Sequence, residues 1–273
     1  MKALLLKEPR CFEFVEAEMP DAGDKAVVKI KAIGVCGTEI SSYNGTFPMG
    51  AYPRVLGHEG TGEIPFDLKW EHAVFADPLT NALQGIYRAK VKAGEMVVIT
   101  GAGPIGVLAA QYVNSIGATA ILISAMEKRM TIAKHLGIRH IVNHKTSDPV
   151  KAVREITGGR MAEVVIECSG MPDAIRKTLD YASYAGRIAL IGYGRSEVPL
   201  PTHIITRKEL DVLGSRNCLG LQPVAIDAIN TGRVKVELII SNLVRFDELP
   251  DFYERISNNP DDFMKGSPYF KRF

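Results

Sequence analysis

The stretch "VVITGAGPIGVLAAQYVNSIGATAILIS", residues 97–124 of a 273-residue chain, contains an apolar run, a glycine-rich turn, apolar residues at helical spacing and a second apolar run. Gly101, Gly103 and Gly106 make G-x-G-x-x-G directly after the expected strand, and Pro104 and Ile105 open the expected helix. In that context the first glycine permits a tight turn, the second lets the backbone approach a pyrophosphate, and the third lets helix and strand pack closely. The amides at the helix N-terminus then face the phosphates. The segment Gly101, Gly103, Pro104, Ile105 and Gly106 is therefore the expected binding turn of a dinucleotide.

Working outward, the alternation persists. Helix "KRMTIAKHLG", strand "HIVN", helix "PVKAVREITG", strand "EVVIECSG", helix "DAIRKTLDYAS" and strands "RIALIGYG" and "LDVLGS" follow in order. Strands alternating with helices of this length indicate an α/β fold with a doubly wound parallel sheet. Upstream, "EHAVFADPLTNALQGIYRAK" has helical spacing, whereas residues 1–64 read as short β runs such as "AVVKIKAIGV" separated by turns. The tail "DELPDFYERISNNPDDF" reads as one helix followed by a polar turn.

The second strand of the dinucleotide unit ends in Ser124, where enzymes that prefer NAD usually carry an acidic residue for the ribose 2′-hydroxyl. Ser124 does not repel a 2′-phosphate, and Lys128 and Arg129 follow on the next turn. Two readings stand side by side: tolerance of NADP, or a serine that caps the following helix while the two cations are solvated.

Composition narrows the function classes. With 46% hydrophobic and 23% charged residues, the chain builds real cores. The net charge of +2 comes from scattered basic residues, which argues against nucleic acid and anionic membrane as partners. The apolar run of "MKALLLKEPR" is too short for a signal or a span and reads as a first strand. Cys11, Cys36, Cys168 and Cys218 form no C-x-x-C pair, so a reducing cytoplasm is the expected location.

In the β-like part, "GVCGTEI" and "GHEGTGEI" place Cys36, His58 and Glu59 on loops beside strands. A thiolate, an imidazole and a carboxylate are a plausible ligand set for catalytic zinc with one position open to substrate. Taken singly, each residue is as readily structural.

Together, "GVCGTEI", "YPRVLGHEGTGEI", the "PL" of "ADPLTNAL", "GAGPIG", "VVIECSG" and "GSRN" resemble the zinc-dependent medium-chain dehydrogenases, in particular their polyol and sugar-acid branch, which includes sorbitol and L-galactonate or L-gulonate dehydrogenases. The resemblance implies a GroES-like β domain over residues 1–76 and 241–273 and a Rossmann NAD(P)-binding domain over 77–240. It also implies a small polyol or sugar-acid substrate and a homo-dimer or tetramer formed through the Rossmann domain. By the same resemblance, Cys36 and His58 bind catalytic zinc, Glu59 is a direct or exchangeable ligand, and Asp77 stands where the branch usually has a metal-reaching Glu. Thr38 matches the hydroxyl that takes the substrate proton.

Several positions depart from the pattern. Glu39 replaces the usual Asp, which orients the zinc-bound histidine, and Ser41 replaces a relay histidine. Pro268 and the charges of "KGSPYFKRF" make a poor central strand where the family has an apolar one. The largest departure is that Ile64 runs directly into Pro65, skipping barrel strands and the cysteine-rich lobe of the structural zinc. The expectation is thus a truncated GroES-like domain with one catalytic zinc and no structural zinc, its remaining core loosely packed. A non-catalytic NAD(P)-binding remnant is the alternative. A zinc-free quinone or enoyl reductase is weakened by the retained Cys36 and His58.

Overall fold

The computed structural model describes residues 1–21, 23, 27–47, 51–62, 68–194, 196–218, 220–259 and 263–269, with 266–269 described by backbone alone. The Ile64–Pro65 join lies outside the described residues. The chain divides into two compact units, residues 1–75 with 239–273 and residues 76–238.

In chain order the first unit begins with β1 (Lys2–Glu8), β2 (Cys11–Glu16), β3 (Ala32–Gly34), α1 (Gly37–Tyr43), β4 (Arg54–Val55), β5 (Glu59–Thr61) and α2 (Trp70–Ala73). The second unit carries α3 (Ala76–Arg88), β6 (Met96–Thr100), α4 (Pro104–Ser115), β7 (Thr119–Ser124), α5 (Glu127–His135), β8 (His140–Asn143), α6 (Pro149–Ile156), β9 (Ala162–Glu167), α7 (Pro172–Tyr181), β10 (Ala182–Leu190), α8 (Thr202–Lys208), β11 (Asp211–Gly214) and α9 (Gln222–Asn230). The chain then returns to the first unit with β12 (Asn242–Arg245), a 3-10 turn at Phe246–Glu248, α10 (Leu249–Asn258) and β13 (Gly266–Tyr269).

The second unit is a six-stranded parallel sheet in the order β11-β10-β9-β6-β7-β8, the doubly wound Rossmann arrangement. Its central strands are near-continuous apolar runs because helices cover both faces: Val98, Val165 and Ile188 are fully buried. Strand order reverses between β6 and β9, and ligands of such sheets bind beyond the carboxyl ends of the strands at this point. The Asp148 side chain caps α6 by accepting from the amides of Val150 (2.9 Å) and Lys151 (3.3 Å). Two details differ from the sequence expectation. The run "EHAVFADPLTNALQGIYRAK" breaks into α2 and α3, and α8 stands between β10 and β11 where only strands were read. A parallel connection from β10 to β11 requires such a crossover, and the β-branched "THIIT" masks its helical period.

The first unit holds two sheets, β2-β1-β4 and β12-β13-β3-β5. The expectation for "KGSPYFKRF" is overturned, because Gly266–Tyr269 forms a strand flanked by β12 and β3. Pro268 is tolerated there because the ladder to β3 is the single pair Tyr269↔Ala32, leaving Pro268 beside a stretch without a partner on that side. An aromatic cluster lies in the core of this unit. Phe12 stacks on Tyr43 at 5.3 Å between ring centroids, and Tyr253 meets Phe12 at 5.2 Å and Tyr43 at 5.5 Å. Around it the core is open: a groove of about 700 Å³ is lined by Leu4, Phe12, Val28, Ile33, Val35 and Tyr253, among others.

Among the described residues, Tyr253 packs at the centre of this cluster, with Leu4, Leu6, Val35 and Leu249 also buried in the same core. Tyr253→Ala is expected to destabilise the unit by about 3–5 kcal/mol, as for other large aromatic truncations. Trp70, the chain's one tryptophan, lies in this unit, so its fluorescence during urea unfolding reports the unit by itself. A loss below about 1 kcal/mol would contradict the assignment of the core to this cluster.

Candidate metal centre and dinucleotide turn

Cys36 ends the segment after β3 and stands at the N-terminal cap of α1; His58 and Glu59 lie on the tight entry to β5, which pairs with β3 through Gly34↔Glu59. This pairing brings the two segments together, and the ligand atoms of Cys36, His58 and Glu59 lie within 4.8 Å of one another. Gly34 is required here because a Cβ would collide with the Glu59 carboxylate.

Glu39, on the first turn of α1, organises the cluster. One oxygen of its buried carboxylate accepts the Cys36 amide at 2.6 Å, and the other accepts the His58 amide at 3.2 Å and the His58 ring Nδ1–H at 2.7 Å. The extra methylene relative to Asp does not prevent contact with the histidine. Fixing Nδ1 leaves Nε2 as the ring nitrogen available to a metal, as in other metal-ligating histidines. Hydrogen bonding to the Cys36 sulfur, and after it to Glu39, pushes the His58 imidazole up to about 11 against the opposing effect of burial.

Glu59 pairs with Lys265, and both side chains are almost fully buried. Sequence reasoning missed Lys265; its only signal was a charge just before the last strand, and only the placement of β13 shows where it goes. As metal ligands Cys36 is a thiolate and His58 is neutral, and Cys36, Glu39 and Glu59 then face one buried ammonium, Lys265. A divalent cation brings this cluster to neutrality, and the half-exposed His58 leaves a side open to solvent. The residues therefore fit a zinc ion held by Cys36, His58 and Glu59.

Thr38 is exposed on the first turn of α1, two residues past Cys36. Asp77 belongs to the other unit, in the first turn of α3, and its backbone carbonyl accepts the Thr80 hydroxyl at 2.6 Å.

In the Rossmann unit, Gly101 adopts φ +94°, which side-chain-bearing residues rarely do, and a Cβ on Gly106 would collide with the Gly101 carbonyl. Gly103, the N-terminal cap of α4, differs: a Cβ there would meet no atom within 4 Å. Packing does not demand a glycine at that position, whereas close approach of a pyrophosphate does. Pro104 and Ile105 form the first turn of α4. Ser124 is buried at the end of β7 and its hydroxyl accepts the Met126 amide at 3.3 Å. It is not the cap of α5, which is Met126; Lys128 and Arg129 lie on the first turn of that helix.

Two family models match the chain: the alcohol dehydrogenase GroES-like domain over residues 22–66 and zinc-binding dehydrogenase over residues 104–229. An uncharacterised zinc-type alcohol dehydrogenase-like protein of Haemophilus influenzae is 34% identical over 338 aligned positions, covering 99% of each chain. Sorbitol dehydrogenase of Bacillus subtilis is 23% identical, covering 100% of this chain and 98% of its own. An Escherichia coli oxidoreductase/dehydrogenase of unknown specificity has the same fold, with a TM-score of 0.93 at 18% identity over 99% of both chains. The chain belongs to the zinc-type alcohol dehydrogenase family. No helix among the described residues is long and apolar enough to cross a membrane.

Because Glu39 holds both ligand-bearing segments, Glu39→Gln is expected to lower zinc affinity by about 10–100-fold, the usual effect of removing a partner behind a ligating histidine. Competition with a chromophoric chelator measures it. Unchanged affinity in a folded variant would contradict the positioning role.

Proposed function

We propose that the chain is a zinc-dependent oxidoreductase that moves a hydride between a secondary alcohol, of the polyol or sugar-acid class, and NAD or NADP. The observation that carries this reading is the convergence of Cys36, His58 and Glu59 within 4.8 Å of one another, which the relatives' polyol activity then narrows. Zinc in that position supplies Lewis acidity that lowers the pKa of an alcohol. Cys36, His58 and Glu59 hold the ion, Glu39 orients His58, and the Thr38 hydroxyl oxygen accepts the alcohol proton. From exposed Thr38 the proton reaches water without a relay histidine, Ser41 standing in that place. The Gly101–Gly106 turn holds the pyrophosphate at the start of α4. Neutral Ser124, with Lys128 and Arg129 behind it, accommodates a 2′-phosphate, so both cofactors are candidates. Asp77 is a further candidate metal ligand by its place in the motif.

The GroES-like unit is proposed to be a shortened form with a single zinc. Alignment with the Haemophilus relative runs over 338 positions, although this chain supplies 273 residues. The open groove of about 700 Å³ and the lack of closely spaced cysteines support the same reading. Assembly through the Rossmann sheet edge at β11 and a cytoplasmic location complete the proposal.

The test is zinc content per chain together with reduction of NAD⁺ and NADP⁺ at 340 nm over a panel of polyols and sugar acids. One zinc per chain and alcohol-dependent reduction of either cofactor is the expected result. Cofactor binding without stoichiometric zinc or turnover would overturn the reading in favour of a binding remnant.

A further inference from the structure

Glu167, at the carboxyl end of β9, is fully buried and makes no ion pair with any described residue. Isolated buried carboxylates are costly, and their charge must be met by hydrogen bonds. Here the donors come from both sides of the point where strand order reverses. Thr100, the last residue of β6, donates its hydroxyl at 3.2 Å. Ser169 donates its amide at 2.7 Å and also its hydroxyl. The Gly170 amide lies 3.1 and 3.0 Å from the two carboxylate oxygens.

The backbone of the same residue continues the web. The amides of Ile191 and Gly192, just past β10, donate to the Glu167 carbonyl at 2.8 and 3.0 Å, and the Cys168 amide donates to the Thr100 carbonyl at 3.0 Å. Packing leaves no slack: a Cβ on Gly101 would lie 3.2 Å from the Ser169 Cβ, and a Cβ on Gly192 would collide with Glu167 and Gly170. Three strand ends, β6, β9 and β10, therefore converge on one residue beside the Gly101–Gly106 turn, β6 and the loop after β9 on its carboxylate and the end of β10 on its backbone carbonyl.

We infer that Glu167 is a positioning residue for dinucleotide binding: its carboxylate clamps the end of β6 to the loop after β9 and so sets the place of the phosphate-binding turn. The inference rests on the dinucleotide reading of that turn. A carboxylate is needed because its two oxygens only accept. A glutamine of the same shape presents an NH₂ group to donors at Thr100, Ser169 or Gly170, and one of them loses its acceptor.

The test is titration of NADH and of NADPH by their own fluorescence, alongside thermal melting, on wild type, Glu167→Gln, Glu167→Asp, Thr100→Val and Val153→Ala. Val153 is a buried residue of α6 that packs into the core, so its truncation softens the unit without touching the strand ends. Glu167→Gln is expected to raise the Kd of the preferred cofactor about tenfold, the equivalent of one mispaired buried hydrogen bond. Glu167→Asp restores part of the affinity, Thr100→Val raises Kd about threefold for one donor lost, and Val153→Ala lowers the melting temperature with Kd unchanged. Wild-type affinity in Glu167→Gln, or an equal loss in Val153→Ala, overturns the inference while the cofactor reading stands. If Glu167→Gln does not fold, Thr100→Val decides, and an unchanged Kd there overturns the inference. A wild type that binds neither cofactor overturns the cofactor reading and the inference together.

Discussion

The Glu39 carboxylate receives the amide of Cys36, the amide of His58 and the imidazole of His58, and the candidate metal centre depends on this one side chain. Cys36 and His58 come from segments far apart in sequence, and both would otherwise sit on loops free to move. Tying both backbones to one buried acceptor fixes the separation of thiol and imidazole before any ion arrives. A single β pair, Gly34↔Glu59, then brings Glu59 to the same place, and Lys265 holds its carboxylate. The result is an excess of negative charge with one open side, which is what a divalent cation requires.

Much of the fold could be read from sequence because local chemistry demanded particular residues. Gly101 requires a left-handed backbone and Gly106 a close helix approach, so the turn announces itself; the long buried runs of β6, β7 and β9 do the same for the sheet. The short helix α8 was not legible, since its β-branched residues look like a strand and only the parallel pairing of β10 with β11 demands a helix. Pro268 misled for a related reason: a proline excludes a strand only where its missing N–H has a partner to lose. Among the site residues, Cys36, His58 and Glu59 carried a chemical signature in their types and spacing. Lys265 and Glu167 carried no such signature, because what distinguishes them is burial next to groups distant in the chain.

The two units illustrate different ways of satisfying backbone and core. The Rossmann unit pairs six strands in one parallel sheet and buries their apolar residues between helices. The GroES-like unit holds smaller sheets beside an open groove, and β2, α1 and α10 each contribute aromatic residues to its core. The metal ligands sit above this sparser core, with Val35 and Gly57, next in sequence to Cys36 and His58, lining the groove itself. Rigidity at the centre must therefore come from the polar web around Glu39 rather than from dense packing beneath it.

The central claim is that this web presents one thiolate and one imidazole to the same ion. Zinc K-edge X-ray absorption on the zinc-loaded protein tests it directly. The account predicts a shell of one sulfur at about 2.3 Å with nitrogen and oxygen scatterers at about 2.0–2.2 Å, including the multiple-scattering signature of imidazole. A zinc shell without sulfur, or one without imidazole, would contradict it.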